Sequence, residues 1–233
     1  MSSYTIQSGD TFWEISQRYG LSLDAVMNAN PGVAPEQLQI GQQIRLPGAG
    51  NASAERSSSD GRMDTTLNGK VPDWLGRLRD MVNAASQATG VPADLIGAVI
   101  YQESGGNVNV DSTWNPNGGG DSGLMQVNQY TADELERKYA DRFRNLHGPA
   151  KNVMLGASYL KDMYDTVADR DWGITLRAYN SGPNGIDKND LSALPAGTGD
   201  RTYVKKVLRF WSDISQGNDL PADHYESIFG RGF

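Results

Sequence analysis

The sequence predicts an α+β protein: a small strand-helix-helix-strand (βααβ) module, a polar linker and a mostly α-helical larger domain. Three observations carry this reading. Apolar residues alternate at both ends of residues 4–46, Gly, Ser, Ala and Asn dominate residues 48–70, and a three-four spacing of apolar residues begins at Val71. The 233 residues therefore divide into a module over 1–48, a flexible linker over 49–70 and a domain over 71–233, with its core over 71–214 and a tail over 215–233.

In the module, Tyr4-Thr5-Ile6-Gln7 and Gln43-Ile44-Arg45-Leu46 read as half-buried strands. Thr11-x-x-Glu14 is a capping-box pattern for a helix that stops at Gly20, and Ser22 caps a second helix ended by Asn30-Pro31-Gly32. A chain this short needs nearly all its apolar residues inside, here Phe12, Trp13, Ile15, Leu23, Val26, Met27, Leu38, Ile40 and Ile44. The linker, GAGNASAERSSSDGRMDTTLNGK, has isolated apolar residues that cannot offset the entropy of ordering it.

From Pro72 to Thr89 an apolar stripe of Trp74, Leu75, Leu78, Met81, Val82 and Ala85 predicts one helix, ended by Gly90. A second starts at Pro92 and stops at Gly105-Gly106. Thr131-x-x-Glu134 is a capping box for a helix to about Ala140, and further helices are predicted over Ala150–Val167, Trp172–Asn180 and Arg201–Ile214. Strand signals are few here. Long Gly/Asn-rich loops fall at 105–123 and 181–199, and loops of such length are usually functional or disordered.

Composition narrows the chemistry. There is no cysteine, which excludes disulfides, thiolate metal sites and cysteine nucleophiles. Two histidines, His147 and His224, are too few and too far apart for a metal cluster, so no metal and no cofactor is expected. A net charge of −7 argues against nucleic acid as a partner. No apolar run reaches the roughly 18 residues of a membrane span, so no membrane insertion is expected. The first twenty residues, with Asp10, Glu14 and Arg18, lack the layout of a signal peptide. The expectation is a monomer made in the cytoplasm.

Glu103 is the most informative residue. It lies four residues after Val99 and seven after Ile96, so it projects from the apolar face of the second helix. Burial there disfavours the charged carboxylate and raises its pKa, which suits a general acid near neutral pH. The alternatives are a frayed helix end in solvent or an ion pair with an arginine such as Arg177.

Two resemblances give these residues a context. YTIQSGDTFWEISQRYGLSLDAVMNANPGVAPEQLQIGQQIRLP resembles a LysM module throughout, including the SGDT and NPG turns and the closing GQQIRLP. LysM modules bind the N-acetylglucosamine (GlcNAc) of peptidoglycan or chitin in a shallow groove. The resemblance implies a groove with Gly9, Asp10 and Thr11 on one side and Asn30, Pro31 and Gly32 on the other. In the larger domain, AVIYQESGGN, GLMQVN, AYNSGPNG and TYVKKVL, with KNVMLGASYL before the third, occur in the order of the soluble lytic transglycosylase (SLT) catalytic domain, a lysozyme-like fold.

That second resemblance implies that Glu103 is the catalytic acid/base. Ser104 supports the helix end or the site, and Gly123, Leu124, Met125 and Gln126 line the cleft beside the acid. Tyr179 and Asn180 face the reacting sugar, and Tyr203 lies near the acid. Leu124 and Met125 also read as core, and Tyr203 heads an apolar stripe with Val207 and Phe210. The implied reaction cleaves the β-1,4 bond between N-acetylmuramic acid (MurNAc) and GlcNAc with one carboxylate and leaves 1,6-anhydroMurNAc ends.

Two alternatives stand beside it. Asp121, two residues before Gly123, can serve as a second carboxylate that holds a water, making the chain a hydrolytic N-acetylmuramidase of the goose-lysozyme kind; the simpler reading, and the one favoured, is an Asx-turn residue after three glycines. The other is a non-catalytic wall-binding or morphogenetic protein. Val127-Asn128 and Gly148-Pro149 depart from the commonest family pattern. The expected partner is the peptidoglycan glycan strand, met at the wall after release by lysis, as for a phage endolysin, or through a dedicated export route. Arg201, Lys205, Lys206 and Arg209 on the final helix are candidates to meet peptide carboxylates.

Overall fold

The computed structural model describes residues 2–7, 12, 15, 18–19, 21, 25–26, 29–31, 33, 38–47, 64–67, 69–109, 121–195, 197 and 199–221. The chain forms two compact units, Met1–Gly61 and Arg62–Phe233.

In the first unit, β1 (Ser2–Thr5) and β2 (Gln43–Leu46) pair antiparallel, with Tyr4 opposite Ile44. The first strand lies two residues earlier than its alternation predicts. Its pairing nevertheless continues past the strand end, because the Ile6 N–H donates to Gln42 and the Gly41 N–H donates back to Ile6, each at 2.8 Å. Phe12 and Ile15 are helical, as is Val26, and all three join Ile6, Ile44 and Leu46 in the core. Ile40 does not; it is 72% exposed, standing on the turn that reverses the chain into β2. Trp13, Leu23 and Met27 lie outside the described residues, as does the Thr11–Glu14 capping box.

The second unit is helical, with one small hairpin. The single helix expected over Pro72–Thr89 is two, α1 (Asp73–Arg77) and α2 (Arg79–Thr89). At Leu78 the N–H bonds back three residues to Leu75, tightening the turn, while the Leu78 carbonyl starts the next helix by accepting from Val82. Helix α3 (Ala93–Ser104) follows, with Pro92 just outside its first turn and Gly105 closing it at φ 61°. It is buried on every side from Leu95 to Tyr101, more than a single apolar face predicts. Gly97 is what lets its neighbours so close: a Cβ there would lie 2.9 Å from Leu75 and 3.4 Å from Ile214.

Next comes a hairpin the sequence did not signal, β3 (Asp121–Ser122) with β4 (Val127–Asn128). Helix α4 (Gln129–Lys138) starts before Thr131, so that residue is not its cap; Asn128 is, accepting from the Tyr130 N–H at 3.0 Å. The short α5 (Ala140–Phe143) leads to α6 (Gly148–Thr166), α7 (Trp172–Ser181, capped by Asp171) and α8 (Tyr203–Gln216). Helix α3 packs against α2 and α8, α6 against α2, α4 and α7, and α7 against α8. No described helix is long and apolar enough to cross a membrane.

Candidate active site

The site is built where the last turn of α3, the β3–β4 turn, α7 and the first residue of α8 meet. Glu103 contributes the carboxyl. Tyr203, 1% exposed at the start of α8, donates its hydroxyl proton to Glu103 Oε1 at 2.5 Å. Glu103 is only partly covered, yet protein atoms surround its carboxyl closely enough to dominate its titration. Desolvation pushes its pKa from the ordinary 4.5 to about 7, the Tyr203 hydrogen bond works against this, and the charge of Asp121 adds to it. The Tyr203 phenol is held well above its usual range by burial and then by the charge of Glu103, so it stays a proton donor.

The turn opposite is shaped by close contacts with α6. Gly123 has φ +72°, and a Cβ on it would lie 2.6 Å from the Asn152 side chain. Asn152 in turn donates to the Ser122 carbonyl at 2.7 Å and accepts from the Met125 N–H at 2.9 Å. One side chain thus spans both arms of the turn. Gly156, a helical turn further on, leaves room for Met125. Gln126 sits at φ 45°, a strained value for a side chain of its size, and its amide Nε2 donates to Gly123 at 2.8 Å.

These contacts assign the motif residues more sharply than the sequence could. Ser104 does not present its hydroxyl to the cleft as a substrate contact. Its oxygen lies 2.8 Å from the Leu124 carbonyl and 3.0 Å from that of Ile100, so it ties the end of α3 to the turn. Leu124 and Met125 are fully buried, which makes Met125 a core residue and corrects its reading as a substrate contact. Tyr179 does not reach Glu103 by a hydrogen bond; it donates to the Met125 carbonyl at 2.7 Å, and its ring leans on Tyr159 at 5.3 Å. Burial, then the charge of Glu103, keeps the Tyr179 phenol protonated.

Asn180 accepts from the Asp200 N–H at 2.9 Å. Arg177 is fully buried and donates to Ser181 and to the Asp200 carbonyl, not to Glu103, which removes the ion-pair alternative. Asp121 is a ladder partner of Asn128, and its charge is felt at both Glu103 and Tyr179.

In the module, Asn30 is buried, and both ends of its side chain are occupied. Its Nδ2 donates to Val26 and Arg45, and its Oδ1 accepts from the Arg45 N–H. It clamps β2, and both of its Nδ2 protons are used within the module. Pro31 is exposed. Gly9, Asp10, Thr11 and Gly32 lie outside the described residues. Basic side chains on and just before α8 are also engaged: Lys206, nearly buried, pairs with Asp200, Arg209 pairs with Asp213, and Arg201, ahead of the helix, donates to Ser192.

Asn152, Gly156 and Asp200 are structural residues that motif reading passed over, and Arg177 entered it only as a candidate partner of Glu103. A polar residue and a glycine inside an otherwise apolar helix were the available signals for the first two.

Comparison with known proteins agrees with this architecture. The transglycosylase SLT domain model matches residues 80–194, and the LysM domain model matches residues 4–47. The X polypeptide of Escherichia coli is 30% identical over 148 residues, 61% of this chain and 80% of that protein. The membrane-bound lytic murein transglycosylase F of Nitrosospira multiformis is 29% identical over 169 residues, 68% of this chain and 31% of the relative. The secreted LysM effector ELP2 of Colletotrichum higginsianum is 52% identical over 46 residues, 20% of this chain and 26% of the effector. Among solved structures, the 70 kDa soluble lytic transglycosylase of Escherichia coli aligns over 60% of this chain and 24% of its own, with a TM-score of 0.48 and 25% identity. The chain thus spans about a quarter to a third of three of these proteins and most of the X polypeptide. With a LysM domain ahead of the catalytic-type helical unit, the chain belongs to the transglycosylase SLT family.

Proposed function

We propose that this chain cleaves the glycan strands of peptidoglycan as a lytic transglycosylase, with Glu103 as the single acid/base and the LysM domain holding the enzyme on the wall. The observation that carries the reading is the Glu103 carboxyl, desolvated until it titrates near 7 and held on one oxygen by Tyr203. A group with that pKa is protonated in a large fraction of molecules at neutral pH and also accepts a proton readily, which is what a two-step acid/base needs.

Glu103 protonates the oxygen between MurNAc C1 and the leaving GlcNAc as the C1–O bond breaks. The positive charge at C1 is met by the acetamido oxygen of the same muramic residue. The Glu103 carboxylate then takes the proton of the C6 hydroxyl, whose oxygen bonds to C1 and closes the 1,6-anhydro ring. Tyr203 matters in both steps, because its fixed donor accepts no proton itself and stabilises the charged form of Glu103. No water is consumed.

A second reading rests on Asp121, whose charge acts on Glu103. Two carboxylates flanking a bond, with room for a water, are the arrangement of an inverting hydrolase. Mass spectrometry of the released muropeptides separates the two: anhydro ends are lighter by one water than hydrolytic reducing ends. Reducing ends alone would overturn the transglycosylase reading.

A further inference from the structure

We propose that Asp200 is a positioning residue for Glu103, acting through Tyr203. The proposal deepens the reading of Glu103 as acid/base and rests on it for its catalytic meaning.

Tyr203 is the first residue of α8, so its hydroxyl lies where the helix begins. Asp200 sets that beginning. Its carbonyl accepts from the Tyr203 N–H at 3.1 Å and from Arg177 Nη2 at 2.7 Å. One carboxylate oxygen accepts from the Thr202 N–H and hydroxyl at 2.8 and 2.6 Å, and the other accepts from Lys206 Nζ at 2.6 Å. Its own N–H donates to Asn180 at 2.9 Å. A single residue therefore joins α7, the loop before α8 and the first turn of α8.

The preceding residue leaves no slack. Gly199 has φ +109°, and a Cβ on it would lie 2.6 Å from Asn180 Oδ1 and 2.7 Å from Ser181 Oγ. An aspartate alone suffices to cap a helix. Here two cations, Arg177 and Lys206, are also taken out of water around it, an arrangement that ordinary helix capping does not require. Arg177 Nε finds no partner, so the guanidinium is held for the bonds of its two Nη atoms to Asp200 and Ser181 at the expense of its third nitrogen. Burial works to raise the Asp200 carboxyl, but the bonds from Lys206 and Thr202 outweigh it and keep it ionised.

The groups facing Glu103 are Tyr203 from α8, Asp121 from β3 and Tyr179 from α7. Of these, Tyr203 is the one whose own backbone N–H is held by Asp200. Releasing Asp200 therefore weakens the one interaction that lowers the Glu103 pKa.

The test follows the Glu103 side-chain carboxyl by NMR titration of the full chain with 13C-labelled glutamate, its signal assigned with Glu103→Gln. Tyr203→Phe raises the Glu103 midpoint by about one pH unit, the scale of a hydrogen bond to a charge. Asp200→Asn moves it in the same direction, lowers kcat about tenfold on soluble glycan fragments with little change in KM, and adds nothing to the midpoint in the double variant. A folded Asp200→Asn chain with the wild-type midpoint overturns the proposal, as does an additive double variant. If Asp200→Asn does not fold, Lys206→Met, which leaves the Asp200 backbone bonds in place, decides in its stead by the same comparison of midpoints. Glycan cleavage that survives Glu103→Gln defeats the acid/base reading instead, and the midpoints still decide the positioning.

Discussion

Gly156 and Met125 stand so close that no side chain fits between them: a Cβ on the glycine would lie 2.7 Å from the Cβ of the methionine. The helix α6 and the turn beside Glu103 are therefore seated on each other directly, and the placement of the turn is a property of the core.

Gly156→Ala is expected to destabilise the chain. Alanine gains about 1 kcal/mol in helix propensity over glycine, but overpacking against a buried methionine costs about 1–3 kcal/mol. The net loss appears as a lower urea midpoint, together with reduced cleavage of glycan fragments as the turn is pushed toward Glu103. An unchanged midpoint would mean that the turn yields freely.

Glu103→Gln is expected to abolish cleavage and yet stabilise the fold, with a definite dependence on pH. The Glu103 pKa is raised from 4.5 to about 7 on folding, so the native chain binds more protons than the unfolded one between those values. Wild-type stability therefore falls as pH rises through that window, and the penalty is complete above about 7. It amounts to about 3 kcal/mol at most. Melting curves should show the variant more stable than wild type at pH 8 and nearly level with it at pH 4. A gain that does not vary with pH would contradict the raised pKa.

Asp121→Asn removes a negative charge that raises the Glu103 pKa. The alkaline limb of the pH–rate profile is expected to move to lower pH, while cleavage persists and the products keep their anhydro ends. Loss of activity by several orders of magnitude would instead assign Asp121 the work of a second carboxylate.

In the module, Asn30→Ala and Pro31→Ala should part company. The first leaves the Arg45 N–H and the Val26 and Arg45 carbonyls without partners, at about 1–3 kcal/mol for each buried group left unpaired. The module should melt well below wild type. Pro31 is exposed, and its replacement should leave melting nearly unchanged. Any change it makes in retention on peptidoglycan then reports a surface contact.

Much of this architecture was legible from periodicity and punctuation. Apart from the short α5, which no pattern signalled, the helices from α2 to α8 fall within a few residues of their predicted ranges, and Glu103 was marked by its phase on α3 and its neighbours. What escaped depended on contacts between segments distant in sequence. Leu78 breaks a continuous stripe through one tightened backbone bond, which no side-chain pattern records. The two-residue strands of the hairpin are too short for alternation to appear. Ser104 and Met125 look like cleft residues because they flank Glu103 and Gln126 in sequence, and only the hydrogen bonds of the one and the burial of the other reveal them as supports. Lys206 looked solvent-facing because charge is usually solvated; its burial answers to Asp200, six residues away.

The inward pairing of α8 also changes what the chain presents at a distance. Lys206 and Arg209 are each matched to an aspartate and largely withdrawn from solvent, so neither offers a local positive patch on a chain of net charge −7. Approach to an anionic polymer is then slowed by mutual repulsion, and salt, which shortens the reach of that repulsion to about 10 Å at 0.1 M, should hasten capture by the wall instead of hindering it.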